Sequence, residues 1–177
     1  MTPGDVLDFW FSDAVKSKWF GGGPHFDAEI RDRFYDLYGL ALRGELPWSD
    51  QARSALALVI VLDQFPRNLF RNDARAFETD ALALSVAQAA VDRGFDQAVT
   101  PEQRTFFYLP FEHSEEMWAQ DRSVELFTAL GDANTLDFAK HHRDIIARFG
   151  RFPHRNAVLD RPSTPEEIAA SATVNPF

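Results

Sequence analysis

The chain contains no cysteine. Disulfides, thiolate metal ligands and cysteine nucleophiles are therefore excluded. Lysine is nearly absent too, with 3 residues against 15 arginines. The basic groups are thus planar forks suited to carboxylates and phosphates, not flexible point charges. They are outnumbered by 27 carboxylates, for a formal charge of −9 over 177 residues. A duplex-binding protein needs a concentrated basic face, so nucleic acid is not an expected partner. Long apolar runs are also missing. The longest, Ser54–Leu62, lies between Arg53 and Asp63 and is about half the ~20 residues that span a bilayer. The first residues carry Asp5 and Asp8 with no basic n-region, which argues against a secretory signal. No membrane partner is expected, and the expected location is the cytoplasm. No segment shows clear period-two alternation, so strands are not expected.

What remains is a globular composition, 45% hydrophobic and 25% charged, expected to form a single domain over residues 1–177 with a loose tail from Ser171 to Phe177. Three segments share one helix-start signature: Thr2-Pro3-Gly4-Asp5, Thr100-Pro101-Glu102-Gln103 and Thr164-Pro165-Glu166-Glu167. Each sets a hydroxyl at the N-cap, proline at the first helical position and a carboxylate or amide at N3. Between them the period is helical. Phe26, Ile30, Phe34, Leu37 and Ala41 step by four, four, three and four, with Gly44 as a stop. Ser49 or Asp50 is expected to cap a buried helix through Ala55–Leu62, which Pro66 should end. Further helices are predicted over Thr79–Arg93, Pro101–Leu109 with a break near Pro110, Glu112–Leu130 and Asn134–Phe149. The result is an all-α fold of seven or eight helices in antiparallel hairpins, with no strict repeat.

Two of these helices carry polar residues on apolar faces. In the predicted Glu112–Leu130 helix, His113, Met117, Gln120, Val124 and Phe127 fall on one face. In Asn134–Phe149, Phe138, His142, Ile145 and Phe149 share another, with His141 on the flank. His113 sits among Glu112, Glu115 and Glu116, and a nearby carboxylate raises and orients an imidazole. Two readings stand: a general acid/base, or a core histidine satisfied by its neighbours. No HExxH or paired HxxxH is present, and no metal or cofactor is expected. A metal trio of His113, Glu116 and His142 would have to assemble across helices.

Two short segments are more distinctive. Asp63-Gln64-Phe65-Pro66-Arg67-Asn68-Leu69-Phe70-Arg71 and Arg148-Phe149-Gly150-Arg151-Phe152-Pro153-His154-Arg155-Asn156 both pass through Phe-Pro to Arg-Asn, the second with His154 inserted. Both are read as loops after helices. Five of the fifteen arginines lie in them: Arg67, Arg71, Arg148, Arg151 and Arg155. They form an anion-binding pocket, or they neutralise helix-end carbonyls and the carboxylates Asp63, Glu112, Glu115 and Asp144. Most of the 17 phenylalanines are packing; Trp10, Trp19, Phe20, Trp48, Tyr108, Phe111 and Trp118 are the aromatics weighed for a ligand wall. There is no phosphate loop and no GxSxG elbow, and Gly21-Gly22-Gly23 lacks the strand–turn–helix setting of a phosphate cradle.

Taken together, Val6-Leu7-Asp8-Phe9-Trp10-Phe11, Trp19-Phe20, Phe26-Asp27 with Ile30, Arg33 and Phe34, Leu62–Asn68, Tyr108–Glu115 and Arg148–Asn156 resemble the bacterial domain-of-unknown-function 924 family. The resemblance runs from Val6 to about Ile168 and implies an all-α, tetratricopeptide-like fold, with no reaction attached. It departs at Leu159-Asp160-Arg161, where glycine is expected at position 160; aspartate tolerates a left-handed turn better than most residues. The family motifs fall on the polar positions already singled out. A shared site is therefore expected from Asp63, Gln64, Arg67, Asn68, His113, Glu115, His142, Arg151, His154 and Arg155. One functional reading is a binding module whose groove takes an anionic small molecule or an acidic peptide. The other is a hydrolase or lyase on an anionic substrate. There His113 or His154 would be the acid/base, with Glu115 orienting it. A closed pocket in which His, Glu and Arg converge favours the enzyme; an open groove with the arginines tied into helix caps favours binding or a purely structural role. The oligomeric state is not legible.

Overall fold

The computed structural model describes residues 1–171. It contains ten α-helices: α1 (Pro3–Trp10), α2 (Asp13–Lys16), α3 (Gly23–Leu42), α4 (Ala52–Asp63), α5 (Phe65–Leu69), α6 (Asp80–Asp92), α7 (Pro101–His113), α8 (Met117–Leu130), α9 (Ala133–Phe149) and α10 (Pro165–Ser171). Single 3₁₀ turns lie at Ala74–Phe77, Phe95–Ala98 and Pro153–Arg155. Seven of the ten helices, α1, α3, α4, α6, α7, α8 and α9, are eight residues or longer. The described residues contain no strand, and among them no helix is long and apolar enough to cross a membrane. Ser171 closes α10; the rest of the expected loose tail lies outside the described residues.

All three predicted caps form. Thr2, Thr100 and Thr164 each accept the N3 amide, from Asp5, Gln103 and Glu167, while the N3 side chain takes the cap residue's own N–H. α4 is the centre of the core: every residue from Ala55 to Asp63 is buried, and α1, α3, α6 and α7 pack around it. From α6 onwards each long helix packs on the next, α6 on α7, α7 on α8 and α8 on α9.

Four boundaries differ from the sequence reading. α4 begins at Ala52 with Gln51 at the N-cap, so neither Ser49 nor Asp50 caps it. Pro66 does not end α4; it sits in the first turn of α5, where its missing N–H costs nothing. The first Phe-Pro segment is thus a short helix and not a loop. Pro110 does not break α7, which carries it inside and runs on to His113. The break falls instead at Ser114–Glu116, because the buried Gln120 side chain reaches back from α8. Its Nε2 donates to the carbonyls of Glu112 at 2.7 Å and Ser114 at 2.7 Å. Those carbonyls are satisfied from outside the helix, so the chain turns there. His113 consequently closes α7 and is not part of α8. On α9 the inward face is rotated: Ala139, His142 and Ile146 are buried, whereas Phe138 is 45% exposed. The departure at Asp160 is accommodated as expected, with φ at +52°.

Candidate functional site

The ends of α4 and α7, the start of α6 and the 3₁₀ turn at Pro153–Arg155 meet in one polar cluster. At its base is Asp63, the last residue of α4 and 1% exposed. Its Oδ1 lies 2.8 Å from Nδ1 of His113, and its Oδ2 accepts from Gln64 Nε2 at 2.6 Å. A carboxylate only accepts, so Nδ1 of His113 carries the ring proton and Nε2 is the basic nitrogen. The His113 side chain is 17% exposed. Burial raises the Asp63 carboxyl, but His113, Arg67 and the Gln64 hydrogen bond outweigh it and hold it ionised. Burial lowers His113 and Arg67 lowers it further, against the opposing pull of Asp63. The ring is therefore a free base near neutral pH.

Two arginines flank this pair. Arg67 Nη1 donates to the Asp63 carbonyl. Its Nη1 and Nη2 grip Asp80 at 3.0 and 3.2 Å. Arg155 Nη1 donates to Asp80 at 3.2 Å, and its Nη2 to the His113 carbonyl at 2.9 Å. The Arg155 guanidinium carbon lies over both the Phe77 and Phe152 rings, 4.5 and 4.6 Å from their centroids. Asp80 is the first residue of α6, where the helix dipole favours a carboxylate. Thr79 ties that helix start to α4 by donating to the Leu62 carbonyl at 2.6 Å.

Behind His113 is a second buried pair. Glu112 is 5% exposed, and its Oε1 is 3.4 Å from Nδ1 of His142, which itself donates to the Phe138 carbonyl at 2.9 Å. Burial, with Asp63 nearby, pushes Glu112 up to about 8. Burial pushes His142 down to about 3. Both are uncharged at neutral pH, so Glu112 and His142 meet without forming an ion pair.

Residues 6–173 match the family described as bacterial protein of unknown function (DUF924). The chain belongs to this family. Among solved structures it resembles the protein of unknown function ATU0120 from Agrobacterium tumefaciens, with 47% identity over 97% of each chain and a TM-score of 0.92. No curated protein matches.

The segments Leu62–Asn68, Tyr108–Glu115 and Arg148–Asn156 supply much of the cluster, but not every residue in them contributes to it. The structure brings Asp63, Gln64, Arg67, His113 and Arg155 together. His142 stands one layer behind, its ring 5.5 Å from that of Phe152. His154 is exposed, with its ring 5.6 Å from that of Phe152. Three predicted residues turn elsewhere. Asn68 donates to Asp27 of α3 at 2.8 Å, beside Arg71, which grips the same carboxylate. Arg151 pairs with Glu167 of α10 at 2.7 Å. Glu115 does not orient His113: it accepts from the Phe152 N–H at 2.8 Å and from Arg161 at 2.7 and 3.0 Å. Asp63 does that work. The sequence reading missed Asp80, Thr79 and Arg161. Asp80 carries only a helix-start signal, and nothing in linear spacing links it to Arg67 or Arg155. Among the described residues no three His, Asp or Glu side chains group as metal ligands, so His113, Glu116 and His142 do not assemble. A separate cavity of about 330 Å³ has Phe111 and Trp118 in its wall, and none of the ten predicted site residues lines it.

Proposed function

We propose that the chain is an enzyme working by general acid–base chemistry on a small anionic molecule, with His113 as the group that takes and returns the proton. The observation that carries this reading is the 2.8 Å contact between buried Asp63 and Nδ1 of His113. It fixes one tautomer, leaves Nε2 basic and holds the ring in place. In a hydrolysis, Nε2 takes a proton from water as the water oxygen attacks, then returns it to the leaving group. In an elimination, it takes the proton from carbon, the C–H electron pair forms the double bond as the bond to the neighbouring leaving group breaks, and the proton is then returned to that group. The binding-module reading needs arginines available along an open groove. Arg67, Arg151 and Arg155 are already engaged with Asp80, Glu167 and helix-end carbonyls; what favours the catalytic reading is the convergence of Arg67 on the Asp63–His113 pair.

The test offers purified protein a panel of small anionic esters, amides and hydroxy acids, with turnover followed by mass spectrometry. At least one should be consumed. His113→Ala should abolish turnover while thermal unfolding stays cooperative, and Asp63→Asn should lower it by about 10²–10⁴-fold. Turnover that survives His113→Ala sinks the proposal. So does an NMR spectrum in which neutral His113 carries its proton on Nε2.

A further inference from the structure

We infer that Arg155 is the anchor for a carboxylate on the molecule this site acts on, binding one carboxylate oxygen through its Nε–H. The inference rests on the enzyme reading for its setting and narrows it to one substrate class. It begins with an imbalance. The Arg155 side chain is 8% exposed. Its Nη1 and Nη2 have Asp80 and the His113 carbonyl, but its buried Nε has no acceptor among the described residues. A buried N–H without an acceptor is unfavourable, and a guanidinium is the side chain least able to shed the charge behind it. Nε–H lies along the same edge of the guanidinium as Nη2. The open donor therefore shares an edge with the nitrogen that meets the His113 backbone carbonyl. The Phe77 and Phe152 rings pack against the guanidinium, and Asp80 and the His113 carbonyl hold its other two nitrogens, so the donor is fixed before any ligand arrives.

The neighbouring charges choose among oxyanions. Arg67 and Arg155 face Asp63 and Asp80, two charges against two. No net positive charge is left to hold a phosphate dianion, and the two carboxylates repel one. One open N–H matches one oxygen of a singly charged group, and the flanking phenylalanine rings suit an apolar carbon skeleton beside it. A small organic monocarboxylate meets all three conditions.

The experiment reads the guanidinium directly. Nitrogen-15 NMR of the wild-type protein follows the Arg155 Nε–H resonance during separate titrations with acetate, benzoate and inorganic phosphate. The two carboxylates should shift it saturably, benzoate at lower concentration, and phosphate should not. Arg155→Lys, which keeps the charge and removes the planar fork, should bind benzoate about 10- to 100-fold more weakly. An Nε–H signal that ignores both carboxylates overturns the anchor, as does one that responds equally to phosphate. Carboxylate binding without turnover would leave the anchor standing and sink the enzyme reading.

Discussion

Glu112 and His142 are neighbours in the interior, and burial drives their protonation in opposite directions. The consequence for stability can be worked out. Glu112 has a folded pKa of about 8 against an ordinary 4.5, so the folded state keeps a proton that the unfolded chain has lost. Its stabilisation is complete below 4.5 and falls away as pH rises to about 8. His142 is about 3 folded against 6.5, so there the unfolded chain holds the extra proton and stability falls as pH drops. Between 4.5 and 6.5 the two slopes cancel. Above 6.5 only Glu112 still acts, and over the 1.5 pH units to about 8 that amounts to about 2 kcal/mol. Urea unfolding of the wild type should weaken by that amount across this window, while Glu112→Gln should stay level. Parallel curves for the two proteins would mean that Glu112 is not held as an acid. This pair was only half legible in the sequence. Helical phase turned His142 inward, but Glu112 looked like one carboxylate of a polar helix start.

The boxed helix starts were legible and the end of α7 was not, for a physical reason. A capping box is written within four residues, so Thr2, Thr100 and Thr164 could be read without knowing the fold. The α7–α8 break is set from elsewhere: Gln120 satisfies the carbonyls of Glu112 and Ser114, and Arg155 that of His113. No local signal at Ser114 announces those partners. The strongest local signal there, Pro110, pointed to the wrong place, since a packed helix tolerates one missing N–H when its ring is buried. The cap on α7 is correspondingly simple to test. Thr100→Ala removes the acceptor for the Gln103 amide and should lower stability by about 1 kcal/mol. Hydrogen exchange should speed up in the first turn of α7, while the end of α7 around His113 stays protected. Loss of protection along the whole helix would show that the cap sets more than its own turn.

Across the whole molecule, the site is a product of packing order. Asp63 and His113 are fifty residues apart, and Asp80 and Arg155 seventy-five. They meet because α4 is enclosed by α6 and α7 and because the chain after α9 folds back over their ends. The sequence reading found most members through the two Phe-Pro segments and could not find how they pair, since pairing depends on that return. It cast Glu115 as the partner of His113. In the structure Glu115 holds the returning segment, through the Phe152 N–H and a two-pronged grip on Arg161. Burial raises the Glu115 carboxyl, but Arg161 and the Phe152 N–H together bring it below its ordinary value. Arg161 in turn donates to the Phe152 carbonyl and to Asn156 Oδ1, so one carboxylate secures the stretch that carries Arg155. Glu115→Ala strands a partly buried guanidinium and a backbone N–H, which should cost about 1–3 kcal/mol. Hydrogen exchange should rise across residues 152–161, and anion binding at Arg155 should weaken with it. The Nδ1–H tautomer of His113 should not change, because Asp63 sets it from the opposite side. If instead the His113 tautomer changes and the 152–161 amides keep their protection, Glu115 acts on the base itself and the assignment of Asp63 as its sole orienting partner fails.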